Sequence, residues 1–208
     1  MPFFWGKYRM SNNKYRFAGG ANALACEAMR IISGILRGRT FNVPKDGLRP
    51  TMEQAREAVF SSLAARVPGA RVLDLFAGSG SLGLEAWSRG AASVTAVESV
   101  SKHWKILQEN FQTLAADPDL GSWQAVQADV YGFLKRGAGP FDLIFADPPY
   151  AEADLAKLLE LAAGALAPDG LLVFEMRSRG AYSLPAGWNL IKEKAYGGTR
   201  MLFLEHTK

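Results

Sequence analysis

The segment FDLIFADPPY, residues 141–150, joins an almost wholly apolar run to a carboxylate, two prolines and a tyrosine. The run Phe141–Phe145 is typical of a strand buried inside a sheet. Each proline fixes its own φ near about −65° and has no N–H, so the carbonyls around Asp147 and Pro148 remain available to a ligand. An amino group on a flat ring could donate to those acceptors while Tyr150 covers the ring face. The alternative is an ordinary strand-ending turn, since Asp and Pro are common turn residues.

Strands and helices alternate on both sides of this segment. The predicted strands are Val72–Phe76, Ser93–Val97, Trp123–Gln127, Phe141–Phe145, Leu171–Phe174, Asn189–Ala195 and Arg200–Leu204. The predicted helices are Gly80–Arg89, Ser101–Leu114, Val130–Lys135 and Asp154–Leu166. Apolar strands separated by amphipathic helices predict an α/β fold with a doubly wound, mostly parallel seven-stranded sheet. The last two strands are joined by only four residues, so they must be antiparallel neighbours.

The N-terminal part of the chain has a different organisation. Apolar residues on both sides of Arg37-Gly38-Arg39 predict a β-hairpin that presents arginines at its tip. A helix begins near Pro50, so residues 29–68 form a hairpin-and-helix extension of the main domain, residues 69–208. Residues 1–28 show no helical or strand periodicity, and we expect a poorly ordered arm there.

Composition limits the class of protein. With 49% hydrophobic residues the chain can bury a sizeable core. One cysteine, Cys26, and two histidines provide neither a disulfide framework nor a zinc cluster, so we expect no metal and a reducing, cytoplasmic environment. No apolar run approaches the roughly 20 residues of a membrane span, so we expect no membrane association.

Charge is distributed unevenly along the chain. Residues 1–60 contain ten Lys and Arg against four Asp and Glu, whereas residues 61–208 contain fourteen against sixteen. A localised positive surface favours a phosphate-bearing partner, because clustered charge creates an attractive field. The alternative is a solvated basic segment without a partner.

The first strand of the main domain runs into a glycine-rich loop. Gly78, Gly80 and Gly83 have dinucleotide-binding spacing, and Glu98 ends the next strand at the position of a ribose ligand. These features predict a nucleoside-bearing cofactor. Asp74 adds a negative charge that repels a pyrophosphate and attracts an ammonium group, which favours S-adenosylmethionine. The alternative from the glycine spacing is an NAD-dependent oxidoreductase.

Asp129 follows the third strand of the sheet and could accept a hydrogen bond from an adenine amino group. The alternative, which is compatible, is an N-cap for the helix that begins at Val130. The predicted cofactor-binding set is Asp74, Phe76, Gly78, Gly80, Glu98 and Asp129.

These motifs, in this order on successive strands, resemble class I S-adenosylmethionine-dependent methyltransferases that modify exocyclic amino groups of bases. The front segment resembles the RsmD family of bacterial 16S rRNA guanine-N2 methyltransferases. The resemblance is carried by Arg30-Ile31-Ile32-Ser33-Gly34, Arg37-Gly38-Arg39, Leu48-Arg49-Pro50-Thr51 and Arg56-Glu57. It extends from about Met29 to Leu204. Gly197-Gly198-Thr199 departs from the Gly-Asp-Thr that is usual in the family.

The resemblance implies methyl transfer to N2 of a guanine in 16S rRNA, within a small-subunit assembly particle, by a monomeric enzyme. It implies that Asp147, Pro148, Pro149 and Tyr150 are the catalytic residues. The candidates for RNA binding are Arg37, Arg39, Arg49 and Arg56. For Arg56 the alternative is an ion pair with Glu53, three residues earlier on the same helix.

Two other functions remain open at this point. A DNA adenine-N6 methyltransferase can carry an identical catalytic tetrapeptide, although this short chain has no visible target-recognition domain. A non-catalytic RNA-binding protein could keep the same fold, although it would not need the cofactor carboxylates.

Overall fold

The computed structural model describes residues 26–44, 50–149, 154–179 and 181–207, with side chains assigned from residue 53 onward in the second range. These ranges contain a two-stranded hairpin, a seven-stranded sheet and five helices. The strands are β1 (Cys26–Arg30), β2 (Thr40–Pro44), β3 (Arg71–Leu75), β4 (Ser93–Glu98), β5 (Ser122–Gln127), β6 (Phe141–Ala146), β7 (Leu166–Arg177), β8 (Trp188–Tyr196) and β9 (Thr199–His206). The helices are α1 (Pro50–Ser62), α2 (Ser81–Ser88), α3 (Ser101–Leu114), α4 (Val130–Lys135) and α5 (Leu155–Ala165).

The large sheet has the strand order β5-β4-β3-β6-β7-β9-β8. The first five strands in this spatial order, β5, β4, β3, β6 and β7, are parallel to their neighbours. β9 is antiparallel to both β7 and β8. The strand order reverses between β3 and β6, which is the position where doubly wound sheets bind ligands. The predicted fold class is therefore confirmed. Among the described residues, no helix is long and apolar enough to cross a membrane.

The two faces of the sheet are covered by different elements, which explains why its central strands β3 and β6 are buried along most of their length. One face packs against the hairpin, α1, α2 and α3, and its core includes Val72, Trp87 and Phe111. The other face packs against α4 and α5, and its core includes Leu73 and Leu75.

The predicted hairpin is confirmed, but its strands have different limits. β1 and β2 pair in antiparallel register from Cys26↔Pro44 to Arg30↔Thr40, so residues 31–39 form the connection. Ile31 and Leu36, which the sequence assigned to the strands, are buried in this connection. β1 begins at Cys26, before the predicted start at Met29. The prediction began too late because Glu27 and Ala28 are both exposed and give no apolar signal. Residues 1–25 of the predicted arm lie outside the described residues.

Strand β7 is longer than the sequence predicted. The pairing partner of Phe141 is Leu166 and that of Leu143 is Leu171, so the segment between Leu166 and Leu171 bulges out of the ladder. Asp169 in that segment has a φ of 61°. The Pro-Asp-Gly sequence therefore forms an irregularity within the strand rather than a boundary before it.

Candidate active site

The carboxyl ends of five parallel strands meet along one edge of the sheet. In register, Leu75 of β3 lies beside Ala146 of β6, and Ala146 lies beside Phe174 of β7. On the other side of β3, Leu75 lies beside Val97, the residue before Glu98. The glycine-rich loop, Glu98 and the segment after Ala146 therefore begin at the same level of adjacent strands.

The chain turns sharply where β3 ends. Phe76 has a φ of 58°, a left-handed conformation that costs a residue with a side chain about 1–2 kcal/mol. Gly80, at the start of α2, has a φ of 89°, and a Cβ there would lie 2.5 Å from the Leu107 Cδ1 of α3. Only glycine fits this position, because the loop is pressed against α3. A Cβ at Gly78 would meet nothing within 4 Å, so the loop faces open space on its outer side.

Asp74 lies beneath this loop with only 2% of its surface exposed. Its Oδ2 accepts a hydrogen bond from the Gly83 N–H at 2.9 Å. Burial raises the pKa of this carboxyl to about 7, the Gly83 N–H partly offsets the effect, and the nearby Glu98 carboxylate adds to it. A bound cation would lower this pKa again, so the site is suited to a positively charged ligand.

Glu98 is buried, with 6% of its surface exposed, which excludes the view that it is a surface carboxylate. Its Oε2 accepts from the Gly78 N–H at 2.8 Å, and its Oε1 accepts from the Val100 N–H at 2.7 Å. Because a carboxylate has about four acceptor positions, each oxygen can also accept from a ligand hydroxyl. Glu98 therefore fixes the glycine-rich loop and presents acceptors at the same time.

Asp129 follows β5 and caps α4. Its Oδ2 accepts from the Gly132 N–H at 2.7 Å, so the N-cap prediction is confirmed. The side chain is exposed, which leaves it accessible to a ligand. Phe76, the aromatic residue of the predicted cofactor set, contacts Tyr131 of α4 edge to face, with ring centroids 6.3 Å apart.

The segment after β6 lies at the centre of this edge. Asp147 is half-buried, Pro148 is buried and Pro149 is exposed, while Tyr150 lies outside the described residues. A pocket of about 400 Å³ opens beside Pro148. Its lining includes Asp154 at the start of α5, Phe174, Glu175 and Met176 of β7, and Tyr182. No role for Glu175 could be predicted from the sequence. The missing information is the β6–β7 register, in which Phe174 pairs with Ala146, so that Glu175 follows at the level of the segment after β6.

The hairpin carries three exposed arginines. Arg37 and Arg39 lie exposed in the connection between β1 and β2, as the sequence predicted, whereas Arg49 lies outside the described residues. Arg30 at the end of β1 is also exposed and was missed. Its position between the buried Met29 and Ile31 could have identified it, because side chains alternate along a strand.

Arg56 is a structural residue, and its assignment as an RNA contact is corrected. Only 3% of its surface is exposed. Its Nη2 donates to the Arg30 carbonyl at 2.7 Å, and its Nε lies 3.6 Å from Glu85 Oε2. Burial lowers the pKa of this guanidinium, and the Glu85 charge opposes the shift. Arg56 therefore holds the hairpin against the main domain and cannot reach a phosphate outside.

Comparisons with known proteins identify the family. The model of the family described as "Conserved hypothetical protein 95" matches residues 29–205. The "Ribosomal RNA small subunit methyltransferase D" of Escherichia coli K12 is 39% identical over 173 residues, which are 81% of this chain and 85% of that protein.

Solved structures have the same fold. An E. coli structure described as putative methyltransferase yhhF has a TM-score of 0.76 and 36% identity, covering 86% of this chain and 98% of that one. A Thermus thermophilus 16S rRNA N2 methyltransferase (RsmC), in complex with AdoMet and guanosine, has a TM-score of 0.66. Its identity is 24%, over 93% of this chain and 54% of that one, so it shows the fold alone. By family model and sequence identity, the chain belongs to the RsmD family of ribosomal RNA small subunit methyltransferases.

Proposed function

We propose that the protein transfers a methyl group from S-adenosylmethionine to the exocyclic N2 of a guanine in 16S rRNA. The observation that carries this proposal is the register of β3 and β6. Leu75 pairs with Ala146, so the glycine-rich loop after β3 and the segment that starts at Asp147 leave neighbouring strands at the same level. Membership of the RsmD family supports the RNA substrate. The protein acts as a monomer in the cytoplasm, on 16S rRNA within a small-subunit assembly particle.

The residues of the site fit S-adenosylmethionine. Asp74 is a buried carboxylate that a cation would stabilise, and it holds the ammonium of the methionine part. Glu98 accepts from the ribose hydroxyls, and Asp129 accepts from the adenine amino group. Phe76 and the backbone of Gly78 and Gly80 line the same pocket. The cofactor supplies a methyl group on a positively charged sulfur.

Asp147 and Pro148 orient the target amino group. The lone pair of guanine N2 is delocalised into the ring, so this nitrogen is a poor nucleophile. When the Asp147 carboxylate and the Pro148 carbonyl accept hydrogen bonds from its two N–H groups, the lone pair is directed toward the methyl donor. As the N–C bond to the methyl group forms and the S–C bond breaks, S-adenosylhomocysteine would leave, and the proton that the methylated amino group loses would pass to the Asp147 carboxylate. The guanine must leave its stack to reach this site, at a cost of a few kcal/mol, and Tyr150 covers its ring face.

Asp74 makes cofactor binding depend on pH. Because its pKa is about 7 and only the ionised form attracts an ammonium, affinity for S-adenosylhomocysteine should fall below pH 7, approaching about tenfold per pH unit. Titration calorimetry from pH 5 to 8 measures this. The variant Asp74→Asn should bind weakly with little pH dependence, and a flat wild-type profile would contradict the assignment.

The same pKa has a consequence for stability without ligand. The folded-state pKa of Asp74 lies above its ordinary value of 3.8, so folding favours the protonated form. Its ionisation destabilises the folded state above pH 7, and this cost disappears as the pH falls from 7 toward 4.

Arg37 and Arg39 hold RNA phosphates at the tip of the hairpin. The double variant Arg37→Ala with Arg39→Ala should raise the KM for RNA on the order of tenfold and lower the salt slope of binding by about one to two. Filter binding at several salt concentrations measures the slope. Lys192→Ala with Lys194→Ala on the edge strand β8 removes the same charge and should leave the slope near wild type. Equal slopes for wild type and the arginine variant would refute the contact.

The proposed reaction is tested by transfer of labelled methyl groups from S-adenosylmethionine to nucleic acids. We expect label in 16S rRNA, in naked or assembled form, and its recovery as N2-methylguanosine after digestion to nucleosides. Label recovered as N6-methyladenosine in DNA would instead identify a DNA adenine methyltransferase. RNA binding without any transfer would identify a non-catalytic protein.

A further inference from the structure

Asn110 of α3 links the hairpin to the glycine-rich loop. Its side-chain amide is buried, with 3% of the residue exposed. Its Nδ2 donates to the Ser79 carbonyl at 2.9 Å and to the Asn42 carbonyl at 2.8 Å, while its Oδ1 accepts from the Asn42 N–H at 2.9 Å. Both amide hydrogens and the amide oxygen are therefore used, and Ser79 lies between the two glycines of the loop.

The position of the loop depends on α3 for a second reason. Leu107, three residues before Asn110, occupies the space that a side chain at Gly80 would need. Two residues of α3 thus act on adjacent positions of the loop, since Asn110 bonds to Ser79 and Leu107 limits the space at Gly80. The loop is thus held by α3 as well as by Glu98, which bonds to Gly78.

The hairpin is fixed to the same region. The Asn110 amide pairs with both the N–H and the C=O of Asn42, as a neighbouring strand would. The hairpin connection is also bonded to α2, where Glu85 accepts from the N–H groups of Ile32 and Ser33 at 2.9 and 3.0 Å. Because α2 begins directly after the loop, the hairpin contacts the helix that follows the loop as well as α3.

We propose that Asn110 is a positioning residue, which sets the conformation of the glycine-rich loop. Through it, cofactor affinity depends on how the hairpin packs against α3. The RNA side of this link rests on the proposed function, since the hairpin carries the arginines assigned to RNA. The cofactor side rests on the hydrogen bonds alone. Removing the amide takes away the donor that Asn110 provides to the part-buried Ser79 carbonyl, so the loop is free to shift away from α3.

The first test measures cofactor affinity without RNA. We expect Asn110→Ala and the isosteric Asn110→Asp, which cannot donate to Ser79, to raise the dissociation constant for S-adenosylhomocysteine by about five- to thirtyfold. Gln112→Ala removes an exposed amide from the same helix and is the matched control, with an expected change below about twofold. Dissociation constants within twofold of wild type for both Asn110 variants would overturn the proposal.

The second test separates positioning from simple loss of stability. A destabilised enzyme has a smaller active fraction, so its apparent kcat falls while its KM for the cofactor is unchanged. A mispositioned loop raises this KM, and kcat at saturating cofactor stays within about threefold. A lower kcat with unchanged KM would show a structural role only. Should wild-type protein fail to methylate 16S rRNA, the proposed function fails, but the binding measurement still decides the role of Asn110.

Discussion

We expect Asp147→Ala to lower kcat for methyl transfer by about 10³-fold or more, while the dissociation constant for S-adenosylhomocysteine changes less than about threefold. In the proposed mechanism, the Asp147 carboxylate accepts a hydrogen bond from the target amino group and does not hold the cofactor. Without its carboxylate, the lone pair of the guanine amino group stays delocalised and is not directed at the methyl donor. Single-turnover assays at saturating RNA and cofactor measure the chemical step.

Two further variants make this result specific. Asp147→Asn keeps one acceptor oxygen, so it should retain more activity than the alanine variant. Asp142→Ala removes a carboxylate from the opposite end of the same strand, where it pairs with Arg71 at 2.8 Å on the surface. This control should leave kcat within about twofold of wild type. Normal turnover by Asp147→Ala would refute the assigned role.

The second large effect is expected at Glu98. Glu98→Ala should weaken binding of S-adenosylhomocysteine by about 30- to 100-fold, because it removes the proposed ribose acceptor and the hydrogen bonds to the Gly78 and Val100 N–H groups. Titration calorimetry measures the affinity directly.

The expected kinetic pattern distinguishes Glu98 from Asp147. The Glu98 variant should raise the KM for the cofactor and keep substantial kcat at saturation, whereas the Asp147 variant should lose kcat. Glu109→Ala, which removes an exposed carboxylate from α3, is the control for charge. Unchanged cofactor affinity in Glu98→Ala would contradict its place in the pocket.

Features set by local pattern could be predicted from the sequence. The limits of α3 and α4 agree with the prediction to the residue, because apolar positions recur at helical spacing and Asp129 caps α4. The order of the predicted site residues along the sheet could also be inferred, since each lies near the carboxyl end of a strand and parallel strands end at one edge.

Contacts between distant parts of the chain could not be predicted in this way. The sequence places Glu53 one turn before Arg56, so an intrahelical pair or an RNA contact was expected. The guanidinium instead turns inward to Glu85 and the Arg30 carbonyl, because the hairpin packs over α1 and buries it. Only tertiary packing determines which partner is near.

Single residues without a repeating pattern were missed for a related reason. Glu175 became a pocket residue only when the β6–β7 register was known. Asn110 looks like any polar residue on an amphipathic helix, and its role depends on the backbone of Asn42 and Ser79. Backbone groups exist at every position, so the sequence does not mark them as partners.

The most direct test of the account is the content of N2-methylguanosine in 16S rRNA from cells that lack this protein. Mass spectrometry of nuclease fragments should show one such nucleotide missing, restored by the wild-type protein and not by the folded Asp147→Ala variant. An unchanged set of N2-methylguanosines in the deletion strain would contradict the assignment of 16S rRNA guanine N2 as the target.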